Sequence, residues 1–328
     1  MGAALFSVLT IGLAILFDGT PARAQASRPP DVVKLPTNLD TGGSSFYDGF
    51  GRTDPGFIFL NFARWNHLTS IKDASGHNSA AFASPQIDVF NNLFHVVYVS
   101  PIEVPDGALT FEVLMPVTGF QTKFGSSGVS LHDGGWNVGD LTFGTDYQSR
   151  VRTIGQDIVL SYRAGLDVLA PTGKFDSRLD LNQGAGFWSI APYLAVTVLP
   201  IPKWEVSARI TYDYNFSTTR GSNPPPAPGF SFVSGQAGQA IDLNFASSYE
   251  LWDGVRPGVS GFWLQQLNDD KTNGIAVPGS LEEQLFLGPG LSWQTDQSTV
   301  MNFNLYLPVR VENAPSGTEL NWQVIHKF

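Results

Sequence analysis

Lys203–Phe216 reads KWEVSARITYDYNF. Trp204, Val206, Ala208, Ile210, Tyr212, Tyr214 and Phe216 occupy one set of alternate positions; Glu205, Ser207, Arg209, Thr211, Asp213 and Asn215 occupy the other. Successive side chains of a strand point to opposite faces, so this pattern predicts a strand with one apolar and one polar face. It is longer than the five or six residues or so of a soluble strand and fits the roughly 9–11 that cross a bilayer at a tilt.

The pattern recurs on both sides. Ile241, Leu243, Phe245, Tyr249 and Leu251 oppose Asp242, Asn244, Ser248 and Glu250. Ile158, Leu160, Tyr162, Leu166 and Val168 oppose Asp157, Ser161, Arg163 and Asp167, and Met301 to Val311 oppose Asn302, Asn304 and Arg310. At the end of the chain Leu320, Trp322, Val324, His326 and Phe328 share a face, opposite Glu319, Asn321, Gln323 and Lys327. Strands are expected at 56–65, 89–99, 107–116, 138–147, 156–170, 186–199, 203–216, 238–251, 256–268, 283–294, 299–311 and 319–328. The gaps at 66–88, 117–137, 171–185, 217–237, 269–282 and 312–318 are mostly long, and those between them are short. Starting in the periplasm puts every long gap outside and every short one inside, as in outer-membrane barrels. A secreted β-sandwich would also bury an apolar face, but gives no reason for that alternation. The expected fold is all-β: a transmembrane antiparallel up-and-down β-barrel of about twelve strands over residues 56–328.

Residues 4–17 (ALFSVLTIGLAILF) are an apolar run followed by Ala24-Gln25-Ala26, which reads as a secretory signal over residues 1–26. Ala22-Arg23-Ala24 is a second acceptable cleavage triplet. Residues 27–55 are then expected to be a periplasmic N-terminal segment. The formal charge of −10 and the lack of any Lys/Arg cluster exclude nucleic acid as a partner. With no cysteine, disulfides, zinc thiolates and cysteine nucleophiles are excluded together.

Residues 139–328 resemble the bacterial outer-membrane family named for the meta-pathway of phenol degradation. The matching stretches are Gly139-Asp140-Leu141, Ala170–Asp176 (APTGKFD), Gly184–Pro192 (GAGFWSIAP), Trp204–Ser207 (WEVS), Tyr212–Asn215 (YDYN), Gly261–Asp269 (GFWLQQLND) and Gly288-Pro289-Gly290, with the terminal Phe328. The proline-rich Asn223–Pro228 stands where the family has a plainer loop. The resemblance implies an outer-membrane channel for passive uptake of small hydrophobic or aromatic compounds, without ATP or cofactor, and not an enzyme of the pathway. A final strand ending in Phe328 resembles the signal read by outer-membrane assembly machinery. Lipid and lipopolysaccharide are the other expected partners.

No catalytic motif stands out: there is no G-x-S-x-G elbow, no H-E-x-x-H and no Walker loop. His67, His77, His95, His132 and His326 form no metal spacing. Asp73, Asp133, Asp269 and Asp270 read as solvated turn residues. By alternation, Glu112, Asp140, Asp146, Asp157, Arg163, Asp167, Glu205, Arg209, Asp213, Asp242, Glu250, Arg310, Glu319 and Lys327 point into the lumen. Charge facing lipid would cost up to about 2–4 kcal/mol near the midplane. These side chains either line a transport pathway or form a packed ion-pair network. Phe120, Phe124, Trp136, Phe187, Phe230 and Phe232 are candidates for ligand entry, because aromatic faces suit flat apolar solutes. Trp188 and Trp263 suit an interfacial belt. Two rivals stand beside the channel: an outer-membrane lipid-modifying enzyme, with His95 near the external rim as its base, and a structural barrel without transport.

Overall fold

The computed structural model describes residues 29–155, 157–225 and 229–328. The expected leader, with both cleavage triplets, lies outside the described residues.

Twelve antiparallel strands form the wall: β1 (Gly56–Ile71), β2 (Gln86–Val104), β3 (Gly107–Lys123), β4 (Leu141–Ser149), β5 (Ile158–Ala170), β6 (Ser189–Ile201), β7 (Trp204–Asn215), β8 (Ala240–Tyr249), β9 (Val255–Gln266), β10 (Glu283–Gln294), β11 (Thr299–Glu312) and β12 (Pro315–Lys327). Each pairs with its sequence neighbours, and β1 pairs with β12 from Ile58↔Lys327 to Ile71↔Pro315. The ring is closed, so it has no free edge and every strand satisfies its backbone within the wall.

The alternation read from Lys203–Phe216 is what closes it. On β7, Trp204, Ile210 and Tyr212 are 41%, 47% and 39% exposed, whereas Glu205, Ser207, Arg209, Thr211, Asp213 and Asn215 are all buried inside. Outward side chains also stack across strands, as Phe303 on Trp322 with ring centroids 6.1 Å apart. Two-residue connections hold the short end tight: Asp106 and Lys203 take positive φ between β2 and β3 and between β6 and β7. At the opposite end the longer connections fold over the mouth. Gly235–Gln236, Lys271–Thr272 and Ile275–Ala276 form a separate three-stranded sheet there.

Several strands outrun their expected limits. β1, β2 and β3 reach 16, 19 and 17 residues, which shrinks the expected gap at 66–88 to 72–85. The expected long gap at 312–318 is the two-residue turn Asn313-Ala314. β1 and β2 hid their period because their inward faces are apolar at the short end. Ile58, Val97, Val99 and Ala108 form a buried cluster there, so both faces look alike in the sequence.

The largest correction concerns the segment before β1. Residues 27–55 were expected in the periplasm, but the described part runs through the lumen from the long-loop end to the short-turn end. Thr272 Oγ1 donates to Pro30 O at 2.7 Å. Val32 and Val33 then pack with Phe187 and Ala237, and Leu39 packs with Ala240 and Leu264. Arg52 reaches the main-chain oxygen of Phe328 just before β1 begins. A polar, half-filled lumen offers this strand-free backbone the hydrogen bonds that water would otherwise supply.

Candidate functional site: a plugged lumen between two cavities

The inward polar faces of the strands converge on the segment Asp40–Gly49. Asn244 Oδ1 accepts the Gly42 N–H at 2.6 Å, and Asn321 Nδ2 and the Tyr306 hydroxyl both donate to Gly42 O, at 2.5 and 3.1 Å. Further along, Glu205 accepts the Tyr47 N–H at 3.0 Å and Thr197 Oγ1 accepts the Gly49 N–H at 2.9 Å. Gly42 itself has φ of +72°, and an added Cβ would meet Phe262 and Tyr306 at 2.9 Å. Only glycine suits that backbone at that contact.

Charge fixes the segment as well. Arg209 Nε lies 3.3 Å from Asp40 and its Nη2 3.2 Å from Asp167, while its guanidinium sits 3.6 Å from the centre of the Tyr193 ring. Arg163 Nη2 holds Asp48 at 2.9 Å. Glu112 is bound by His95 Nε2 at 2.6 Å on the neighbouring strand. A planar guanidinium can serve a carboxylate and an aromatic face together, which suits arginine to this crowded interior.

Two cavities flank the segment. One, about 850 Å³, opens toward the long loops; the other, about 400 Å³, lies toward the short turns. Both are lined by Leu39, Arg64 and Asn91, which therefore mark the partition between them. Arg64 Nη2 lies 3.6 Å from Glu319, its diagonal neighbour on β12, and bonds Thr41 O of the lumen segment. The outer cavity is polar at this floor; Leu68, Ile87, Val89, Phe120 and Leu264 form the apolar part of its wall, and Lys34, Asp180, Arg220 and Glu282 are among the charged side chains in the rest.

The structure brings Glu112, Asp146, Arg163, Asp167, Glu205, Arg209, Asp213, Asp242 and Glu319 inside, as the alternation anticipates. Lys327 lines the inner cavity at the short-turn end. Four assignments differ. Asp140 is buried but lies in the loop before β4, where its carboxylate accepts the Gly173 and Ala185 N–H groups at 2.7 Å each. Asp157 is exposed in the turn before β5. Glu250 lies in the turn after β8, paired with Arg256 at 2.5 Å. Arg310 faces outward. The register between β10 and β11 jumps from Leu285↔Arg310 to Phe286↔Pro308, leaving Val309 of β11 as an extra residue. This β-bulge inverts the phase beyond it, so Val311 turns inward and Arg310 joins Glu283 and Glu312 on the outer face at 3.0 and 2.9 Å.

The aromatic candidates also divide. Phe120 lines the outer cavity, and Phe124 packs on Phe82, which lines it, with centroids 6.1 Å apart. Phe187 and Phe232 pack on Val32 and Val33 of the lumen segment. Phe230 is half-buried in the loop and lines none of these cavities. Trp136 is 57% exposed and stacks on the outward Phe90, in line with Trp65, so it belongs to the outer aromatic surface. Trp188 is likewise exposed. His95 faces the lumen, not the lipid rim that the lipid-modifying rival required.

Sequence reading missed the lumen segment and the inward Arg64, Tyr193 and Tyr306. The glycines and aspartates of Asp40–Gly51 were a usable signal, since so many turn-forming residues suit a winding chain rather than a strand. Not every loop acid is a solvated turn residue either. Asp73 fits that reading: it accepts the Ser75 and His77 N–H groups, which hold its carboxyl below the usual range. Asp270 is 2% exposed and accepts from Gly238 N–H and Gln266 Nε2 at 2.7 and 2.9 Å. Burial, reinforced by the Asp31 carboxylate, pushes Asp270 up to about 8.

A family model described as "Putative MetA-pathway of phenol degradation" matches residues 70–324, more than three quarters of the chain. The chain belongs to this family. Among solved structures, an outer membrane channel from Pseudomonas putida F1 is similar with a TM-score of 0.70 at 16% identity, over 86% of this chain and 98% of that one. The likeness shows a common barrel fold. The transport unit of the autotransporter AIDA-I from Escherichia coli has a TM-score of 0.46 at 9% identity, over 84% of this chain and 91% of that one. The CymD monoaromatic hydrocarbon channel has a TM-score of 0.37 at 11% identity, over 83% and 88%. No curated protein matches the chain.

Proposed function

We propose that this chain is an outer-membrane channel for passive uptake of small hydrophobic or aromatic compounds. The observation that carries the reading is the outer cavity: about 850 Å³ in the mouth of the barrel, with an apolar stretch of wall that continues in the apolar inward faces of β1 and β2 at the short end. A pathway for salts or sugars has no use for Leu68, Ile87, Val89, Phe120 and Leu264 at its entrance, whereas apolar solutes are held there by the area they withdraw from water. The long loops face the exterior in this reading and the short turns face the periplasm. Solute enters the outer cavity, passes the partition at Leu39, Arg64 and Asn91 when the Asp40–Gly49 segment shifts, and leaves by the inner cavity. Concentration difference alone drives it. Membership in a family associated with phenol degradation supports aromatic solutes.

Phe328, 70% exposed at the end of β12, supports recognition by the assembly machinery. The outward Trp65, Phe90 and Trp136 stack supports contact with lipid and lipopolysaccharide headgroups.

Uptake of a labelled aromatic compound by cells lacking the gene, by complemented cells and by cells carrying Phe120→Arg tests the reading. Complementation should restore uptake, and the buried cation should suppress it while the unboiled protein still migrates as a folded barrel. Equal uptake in all three strains would leave only a structural barrel.

A further inference from the structure

Amide side chains inside the lumen are tied down almost everywhere. Asn302 Nδ2 donates to Gln323 Oε1 at 2.7 Å, Gln148 Nε2 donates to Gly49 O at 3.0 Å, and Asn244 and Asn321 hold Gly42. Asn66 and Asn91 are different. Among the described residues neither carboxamide has a protein partner at either end, whereas Gln148, Asn302 and Asn321, whose side-chain oxygens are likewise buried and unpaired, are each held through the amide nitrogen. A buried polar group without a partner costs stability, and such groups in native structures call for an explanation.

Their position supplies it. Asn66 lies opposite Val89 and Asn91 opposite Arg64 on β1 and β2, so the two residues are diagonal neighbours on one face, with backbone positions about 7–8 Å apart. Both line the outer cavity at its floor, beneath the apolar part of its wall. The neighbouring charges, Arg64 and Glu319, already face each other, so the floor offers no surplus charge to an ion. Building on the uptake function proposed above, we infer that Asn66 and Asn91 form a head-group site that selects neutral apolar molecules carrying a hydroxyl over the bare hydrocarbons. A carboxamide presents a donor at one end and an acceptor at the other, and a hydroxyl both donates and accepts, so it satisfies either orientation of either amide. A hydrocarbon of the same shape fills the walls but leaves both amides unpaired.

The test compares 4-propylphenol with propylbenzene, which differ by one hydroxyl. Binding is measured by equilibrium dialysis against the full chain in lipid nanodiscs, with empty nanodiscs correcting for partition into lipid. The wild type should hold the phenol about tenfold more tightly than the hydrocarbon, the effect of one to two net hydrogen bonds. In the Asn66→Leu/Asn91→Leu double variant the ratio should fall to about one. Equal wild-type binding of the two probes, or an unchanged ratio in a folded double variant, overturns the head-group site and leaves the uptake function standing. Binding of neither probe by the wild type overturns the uptake reading of this cavity, and the head-group site with it.

Discussion

The guanidinium of Arg209 lies 3.6 Å from the centre of the Tyr193 ring, both side chains reaching into the lumen from adjacent strands. From there Arg209 bridges Asp40 of the lumen segment and Asp167 of the wall. Arg209→Ala would leave two partly buried carboxylates without their cation, a loss of about 1.5–3 kcal/mol, the range for hydrogen bonds to charged groups. The lumen segment should loosen and single-channel conductance in planar bilayers should rise several-fold. Conductance equal to wild type, with unchanged hydrogen exchange over residues 39–45, would contradict the anchoring role. Arg209→Lys should rescue little, because an ammonium cannot serve both carboxylates from above a ring.

Gly42 tests the same segment through shape. Gly42→Val places a branched side chain against Phe262 and Tyr306 at a positive φ. Displacement of the segment should cost about 1–3 kcal/mol and speed hydrogen exchange at Gly42 and its neighbours. Gly155→Ala is the comparison, since Gly155 also has positive φ but no neighbour within 4 Å of an added Cβ. If both substitutions affect the lumen segment alike, steric fit at Gly42 is not what holds it.

Asp270 gives a pH dependence at the outer end. Its carboxyl is raised to about 8 from an ordinary value of 3.8. The folded contact therefore favours the protonated form: its contribution is complete below about pH 4 and is lost as pH rises through about 8. A spin label at Thr37 should gain mobility between pH 5 and 9. Asp270→Asn, which stays neutral, should flatten that profile. The same rise in the asparagine variant would assign it to another group.

Arg310 tests the bulge on β11. Because it faces outward with Glu283 and Glu312, Arg310→Gln should leave ion selectivity in planar bilayers unchanged. Arg163→Gln, which removes the lumen partner of Asp48, should alter it. A selectivity change in Arg310→Gln of similar size would place that side chain in the pathway after all.

How much of this could be read from the chain follows from where the period of two survives. On β7 it is unbroken, and the strand, its facing and its charged interior all follow from it. On β11 it is unbroken as far as Tyr306, but nothing in the local sequence marks Val309 as an extra residue. A bulge depends on the register of the partner strand, which lies elsewhere in the chain. β1 and β2 show a further limit: Ile58 and Val97 are apolar yet point inward, because they pack on each other beside the lumen segment. That segment was hidden for a related reason. Asp40 and Asp48 have no meaning by themselves; their partners, Arg209 and Arg163, are more than a hundred residues away.

The pairing of β1 with β12 joins the two extremities of the fold, Ile58 against Lys327. A copy clipped before Pro315 would keep eleven strands and carry two raw seams, each lined with amides and carbonyls that hydrocarbon cannot solvate. Such a product has nowhere stable to go and should be left to periplasmic proteases. The strand that closes the ring thus certifies the eleven before it.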